Sequence, residues 1–179
     1  MRLFIAIEIP DKIKKQISHI QDKLPEFFGK KTASENLHLT LKFLGEVEES
    51  KIEEIKKKLR EIKFNNFSSE IGKLGVFDNR KSKIDSRNVV VWLFLSNCEK
   101  LQKQIDEKLS YLFEKEKRFM SHLTIARVKN IKNKKIFLEK LNKISVVSEK
   151  FEVNKFSLVK SELNAEGPIY TALEKYPAK

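Results

Sequence analysis

Two short stretches of this chain carry the same signature of potentially reactive groups, a histidine followed two places later by a threonine. One is His38-Leu39-Thr40-Leu41, within Asn36-Leu-His-Leu-Thr-Leu-Lys-Phe-Leu-Gly45. The other is His122-Leu123-Thr124-Ile125, within Ser121-His-Leu-Thr-Ile-Ala-Arg-Val128. The chain has three histidines. Its threonines are Thr32, Thr40, Thr124 and Thr171, so a given His has Thr two places on about 2% of the time, and two such pairs arise about once in a thousand chains. A lone His-x-Thr reads as an edge histidine beside a β-forming neighbour; the pair reverses that reading. Two imidazoles facing one cleft can act as general acid and general base near neutral pH.

Side chains alternate faces along a strand. Strict alternation sends His38, Thr40 and Lys42 to one face, and Leu39, Leu41 and Phe43 to the other. It likewise groups His122, Thr124 and Ala126 against Leu123, Ile125 and Arg127. Two such strands around a pseudo-twofold form a cage for a tetrahedral phosphate. The hydroxyls donate to non-bridging oxygens, and the imidazoles flank the line of attack and departure. Lys42, on the His38 face, is a candidate contact for a nucleic-acid backbone; a solvated strand lysine is the plainer reading.

Other chemistries find little support. The sequence contains no Gly-x-x-x-x-Gly-Lys-Ser/Thr loop, no Gly-x-Gly-x-x-Gly turn and no His-Glu-x-x-His pair. No carboxylate stands at a ligand-like offset from either motif histidine. Neither a metal nor another cofactor is expected. His19, between Ile17 and Ile20 on a helical pattern, reads as a boundary residue.

The elements that must hold these strands emerge from an internal repeat. The two motif histidines are 84 positions apart, and the same shift lays Lys51–Ile62 on Lys135–Val146 and Phe67–Phe77 on Phe151–Ser161. Leu3–Ile7 falls at the start of the apolar run Val89–Leu95, and Asp11–Leu24 falls near Asn97–Phe113. Each half therefore reads strand, helix, His-x-Thr strand, helix, strand. Ile13, Ile17, Ile20 and Leu24 recur at helical spacing, as do Leu101, Ile105, Leu109 and Leu112. Asp11 and Ser50 stand where helix caps are expected. The polar, basic segment 78–88 reads as a loop or splayed hairpin, and Gly167-Pro168 as a turn into a final strand. The expectation is an α+β protein, 1–179 as a single domain of two pseudo-twofold lobes.

With 40% hydrophobic residues and thirteen Phe, the chain can build a core. No run approaches the roughly 18–20 apolar residues needed to span a bilayer. The opening segment, interrupted by Glu8 and Pro10, reads as a strand and not a signal peptide. Cys98 alone cannot form an intrachain disulfide. A cytoplasmic monomer is expected. The net charge of +12 favours a polyanionic partner, although much lysine lies beside Glu on helix faces, as in Lys51–Arg60.

Together the two motif blocks, the opening Arg2–Ile7, Gly75-Val-Phe77, Val90-Val-Trp92, Ser161-Glu-Leu and Gly167-Pro-Ile-Tyr170 resemble the 2H phosphoesterases. In particular, they resemble the RNA 2′,3′-cyclic phosphodiesterases also called 2′-5′ RNA ligases, the ThpR or LigT group. The resemblance covers essentially the whole chain. One departure is Ser121, where the family often has proline; it removes no functional group.

This resemblance implies a bilobal duplicated fold, with two antiparallel sheets lining a central groove and helices outside. It implies metal-independent opening of 2′,3′-cyclic phosphate ends of RNA, tRNA fragments included, to 2′-phosphomonoesters, with reversible 2′-5′ joining of a cyclic end to a 5′-hydroxyl at the same site. Residue by residue, it implies His38 and His122 as the acid and base pair; the split adopted has His38 protonating the departing O3′ and His122 activating water, and the pseudo-symmetry of the motifs leaves the opposite split open. Thr40 and Thr124 would hold phosphate oxygens, and Arg127 would help hold the phosphate. Alternation alone places Arg127 on the face opposite His122. The competing readings are a non-catalytic basic RNA-binding module and a phosphodiesterase acting on small cyclic nucleotides.

Overall fold

Arg2–Glu8, apolar at every position from Leu3 to Ile7, forms strand β1, buried throughout that run. It lies at the centre of one antiparallel sheet in a computed structural model that describes residues 1–78, 89–165 and 167–179. The element order is β1, α1 (Asp11–Asp22), β2 (Phe28–Lys31), a 3₁₀ turn (Ser34–Asn36), β3 (His38–Glu46), α2 (Glu49–Arg60) and β4 (Phe67–Asp78). There follow β5 (Val89–Leu95), α3 (Glu99–Lys108), β6 (His122–Asn130), α4 (Lys134–Asn142), β7 (Lys150–Val153), β8 (Lys155–Leu163) and β9 (Pro168–Pro177). The loop expected over 78–88 falls, from residue 79 on, outside the described residues.

One sheet has the order β3-β1-β8-β9, and the other β2-β6-β5-β4-β7. Every pairing is antiparallel. The fold is α+β and bilobal, the two sheets lining a central groove with the helices outside. The halves of the sequence are exchanged between the sheets. β8, from the second half, completes the sheet begun by β1 and β3, and β4, from the first half, joins β5. The helices cross over too: α1 packs on β6, and α3 on β3.

This exchange explains the one strand that the repeat misjudges. Residues 151–161, expected as a single strand, break at Asn154 because β7 stays beside β4 while β8 crosses to β1. α1, α3 and α4 are shorter than the periodicity suggests, α2 starts two residues earlier than expected, and neither expected cap is one. Pro10 and Glu48 occupy the N-cap positions, while Asp11 is the first helical residue and Ser50 lies inside α2. An acid in the first turn still favours the helix dipole.

One hydrophobic core runs through both sheets. Ile5, Ile17, Leu39, Ile55, Leu93, Ile105, Ile125 and Phe156 all belong to it. Phe4 and Ala6 alternate out of that core and meet Val159 and Tyr170 in a small apolar cluster of their own. Among the described residues no helix is long and apolar enough to cross a membrane.

Candidate active site

β3 and β6 carry the two His-x-Thr signatures and lie against each other across the groove. Their burial profiles coincide position for position. His and Thr are half-buried, the intervening aliphatics are buried, two buried residues then follow in succession, and the next is exposed. That double burial marks an extra residue. Ile5 pairs with Lys42 but Ala6 with Thr40, so Leu41 is skipped. Val91 pairs with Ala126 but Trp92 with Thr124, so Ile125 is skipped. Each motif strand thus bulges one residue past its threonine, and a bulge inverts the faces of everything beyond it.

The bulges correct two sequence expectations. Lys42 is not on the His38 face; it is buried at 2% exposure on the opposite side. There its ammonium lies 2.5 Å from an Asp106 carboxylate oxygen on α3 and donates to the Glu114 carbonyl at 2.7 Å. It is not placed to touch a groove-bound substrate. Arg127 is not opposite His122: beyond the bulge it is exposed on the groove side, and its charge acts on both His38 and Tyr170. Phe43, the counterpart of Arg127 on β3, is 62% exposed on the groove side as well. Its ring lies 6.3 Å from Phe4, which in turn lies 4.8 Å from His38. Thr40 and Thr124 stay on the histidine faces, ahead of the bulges.

The two imidazoles are held alike. Nδ1 of His38 lies 2.7 Å from the Asn36 carbonyl, and Nδ1 of His122 lies 2.8 Å from the Met120 carbonyl. A carbonyl only accepts, so each Nδ1 carries the hydrogen, and the neutral ring keeps its lone pair on Nε2. A ring fixed in this way can take a proton at Nε2 or, once charged, give one. At Ser121 the strand entry is secured without proline: the residue is buried, and its carbonyl accepts the Leu95 amide.

Aromatic walls enclose both rings. Phe4 and Tyr170 flank His38, the Tyr170 ring edge-on at 5.0 Å. Phe77 meets His122 edge-on at 4.9 Å, with Trp92 behind it at 5.0 Å from Phe77. Trp92 lies so flat on β4 that a Cβ on Gly75 would sit 2.3 Å from the indole, which only glycine avoids. On the other side the Asn36 side chain donates to the Pro168 carbonyl at 3.1 Å, tying the start of β9, and with it Tyr170, to the segment that orients His38. Burial pushes the His38 pKa below its usual value, helped by the charges of Arg127 and His122 and opposed by the Asn36 carbonyl. Burial likewise pushes Tyr170 upward, against the charges of Arg127 and Arg2.

Phe4, Tyr170, Phe77, Trp92, Asn36 and Gly75 carry no chemical signal of their own in the sequence, where the aromatics read as core. Among the described residues no group of three or more His, Cys, Asp or Glu is gathered as a metal site would gather them.

The family described as LigT like phosphoesterase matches residues 7–85 and 95–170 of the chain. An RNA 2′,3′-cyclic phosphodiesterase of Methanocaldococcus jannaschii is 38% identical over 180 residues, covering 98% of this chain and 100% of the relative. The protein of the same name from Thermotoga maritima is 39% identical over 182 residues, covering 97% and 93%. A crystal structure of a Thermus thermophilus protein superposes with a TM-score of 0.80 at 26% identity, over 99% of this chain and 97% of that one. Escherichia coli LigT complexed with 3′-AMP shares the fold, with a TM-score of 0.79 at 24% identity over 99% and 98%.

Proposed function

From the premise that this chain belongs to the LigT-like phosphoesterase family, we propose that it opens 2′,3′-cyclic phosphate ends of RNA to 2′-phosphomonoesters by acid and base catalysis between His38 and His122. The observation that carries this reading is the matched pair of imidazoles, each locked as an Nδ1 donor to the carbonyl two residues before it, across one groove with Arg127. The names of the full-length relatives support the substrate class.

In the reaction, Nε2 of His122 takes a proton from water as the water oxygen bonds to phosphorus. The P–O3′ bond breaks, and protonated His38 gives its proton to O3′. Thr40 and Thr124 donate to the non-bridging oxygens, and Arg127 offsets the charge that builds on them. No metal is needed for any of these steps. By microscopic reversibility, a 5′-hydroxyl in place of water gives a 2′-5′ link from a cyclic end.

The test is product analysis after incubating the protein with an RNA oligomer ending in a 2′,3′-cyclic phosphate. A 2′-phosphate, formed equally well in EDTA, is expected. A 3′-phosphate would reverse the two histidine roles, and binding without turnover would leave only an RNA-binding module. A comparison of rates on the oligomer and on cyclic mononucleotides separates RNA ends from small cyclic nucleotides as substrates.

A further inference from the structure

Among the buried polar groups that the chemistry leaves unused, Lys42, Asp106 and Gln21 gather at the two bulges, and they are wired crosswise. On β3, Lys42, the residue just after the skipped Leu41, reaches Asp106 of α3 and the Glu114 carbonyl. Asp106 also accepts the Glu116 amide at 3.1 Å. The segment thus gripped runs on to Met120, whose carbonyl orients His122. On β6, the bulge residue Ile125 offers its carbonyl to the side-chain amide of Gln21 on α1 at 2.8 Å, and the same amide donates to the Thr32 carbonyl at 2.8 Å. The Thr32 amide also donates to Ile125. This second segment runs on to Asn36, whose carbonyl orients His38.

Each bulge is therefore tied, through a buried helix side chain, to the segment that orients the histidine of the other strand. One tie is ionic and the other neutral. Lys42 and Asp106 are 2% and 7% exposed, and Gln21 is 7% exposed. Nothing in the core requires a charge pair there, because the matching position on β6 is Ala126, fully buried with no partner to satisfy. Burying two charges carries a desolvation cost that their attraction has to offset before any net gain, so bare stability is a poor reason for the pair.

We propose that Lys42, Asp106 and Gln21 are positioning residues that form two crossed braces, setting the separation and aim of the imidazoles across the groove. For its kinetic consequence the inference rests on the acid and base roles given above. Proton delivery and removal must coincide at one phosphorus, and a displacement on the order of 1 Å can cost about a hundredfold. Loosening either brace therefore lowers kcat more than it raises KM.

The test uses Lys42→Met combined with Asp106→Leu, and Gln21→Met separately. Replacing both members of a buried pair with apolar residues of similar size is often neutral for folding, and Gln21→Met keeps shape while removing only the amide. Melting temperature, kcat and KM on a cyclic mononucleotide, and the NMR signals of both imidazole rings are read for each. The expected result is a kcat loss of roughly tenfold or more at near-wild-type melting temperature. The ring signals should move crosswise: His122 for the Lys42 and Asp106 variant, His38 for Gln21→Met. Should the double variant fail to fold, Gln21→Met carries the test alone.

Unchanged kcat in a folded variant overturns the proposal, and so does a shift confined to the histidine on the altered strand. If the wild type turns over no cyclic phosphate, the proposed function fails while the crosswise ring shifts still decide for or against the braces.

Discussion

Five residues past His38 the groove presents Phe43; five past His122 it presents Arg127. Both positions face the groove because of the same bulge, so the difference lies in the side chain and not in the backbone. The β3 side is apolar, with Phe4, Tyr170 and Phe43 in contact around one imidazole. The β6 side carries the cation. A duplicated frame is thereby made directional. On the function proposed above, the cationic side suits the phosphate oxygens, and the aromatic side suits the sugar and base that carry O3′.

The largest effects should erase this difference between the sides. On the proposed function, His38→Ala and His122→Ala each remove one of two proton-transfer groups, and each should lower kcat by about 10²–10⁴. Circular dichroism and melting temperature should stay near wild type, since both rings sit on the groove face and not in the main core. Substantial activity in either variant would mean that the two sides do not share one reaction.

Next come the finishing residues themselves. On the proposed function, Arg127→Ala removes the groove-side charge that offsets developing phosphate charge, a loss of about 10² in kcat. Phe43→Ala removes a stacking surface and should act through KM, by roughly tenfold or less. Steady-state kinetics on one cyclic mononucleotide compares the pair. Equal effects on kcat would show that the aromatic side also serves the chemistry, contrary to the division above.

The fate of these two positions shows what was legible in the sequence. His38 with Thr40, and His122 with Thr124, were readable because alternation holds over two residues and no bulge intervenes. Lys42 and Arg127 were misplaced for a single reason: an extra residue in a strand leaves no mark in the chain itself, and it inverts every face beyond it. The repeat was readable as an offset of 84. The exchange of β4, β8, α1 and α3 was not, because strand order and helix packing are set by partners remote in sequence. Phe4, Tyr170, Phe77 and Trp92 carried only the signal of apolar bulk, which cannot tell a groove wall from a core. Gln21 and Asp106 stood on helix patterns among many polar neighbours, with nothing to mark them as buried.

Smaller effects should come from the walls behind each ring. Gly75→Ala pushes on Trp92 and through it on Phe77 beside His122. Overpacking of this kind costs about 1–3 kcal/mol, to be read as a lower melting temperature together with a several-fold loss of kcat. Asn36→Ala frees the Pro168 carbonyl and lets Tyr170 move from His38, while the main-chain hold on His38 persists. It removes one hydrogen bond of about 0.5–1.5 kcal/mol and should cost less in melting temperature than Gly75→Ala. The opposite order would mean that the β3 wall, not the β6 wall, is the more tightly packed.

The smallest effect expected is a separation of two pH profiles, and it bears directly on the asymmetry. Burial, chiefly, and the charges of Arg127 and His122 hold His38 below the usual value of 6.5. The groups facing His38 are Arg127 and His122 on β6, Tyr170 on β9 and, in register across β1, Glu8 with its lysine partners. In the free groove, His38 is therefore mostly neutral at pH 7. As the acid it must be protonated. A bound phosphodiester anion offsets the charge of Arg127 and favours the charged form of His38, so a proton is taken up with the substrate. The sign follows. kcat/KM, which reports on the free enzyme, should fall as pH rises from below 6.5, whereas the fall in kcat should come at higher pH. At neutral pH the two profiles should then differ several-fold. Arg127→Ala should move the kcat/KM limb upward by removing one of the charges that depress it. If Arg127→Ala leaves that limb where it is in the wild type, His38 is not the group that sets it, and its assignment as the acid for O3′ fails.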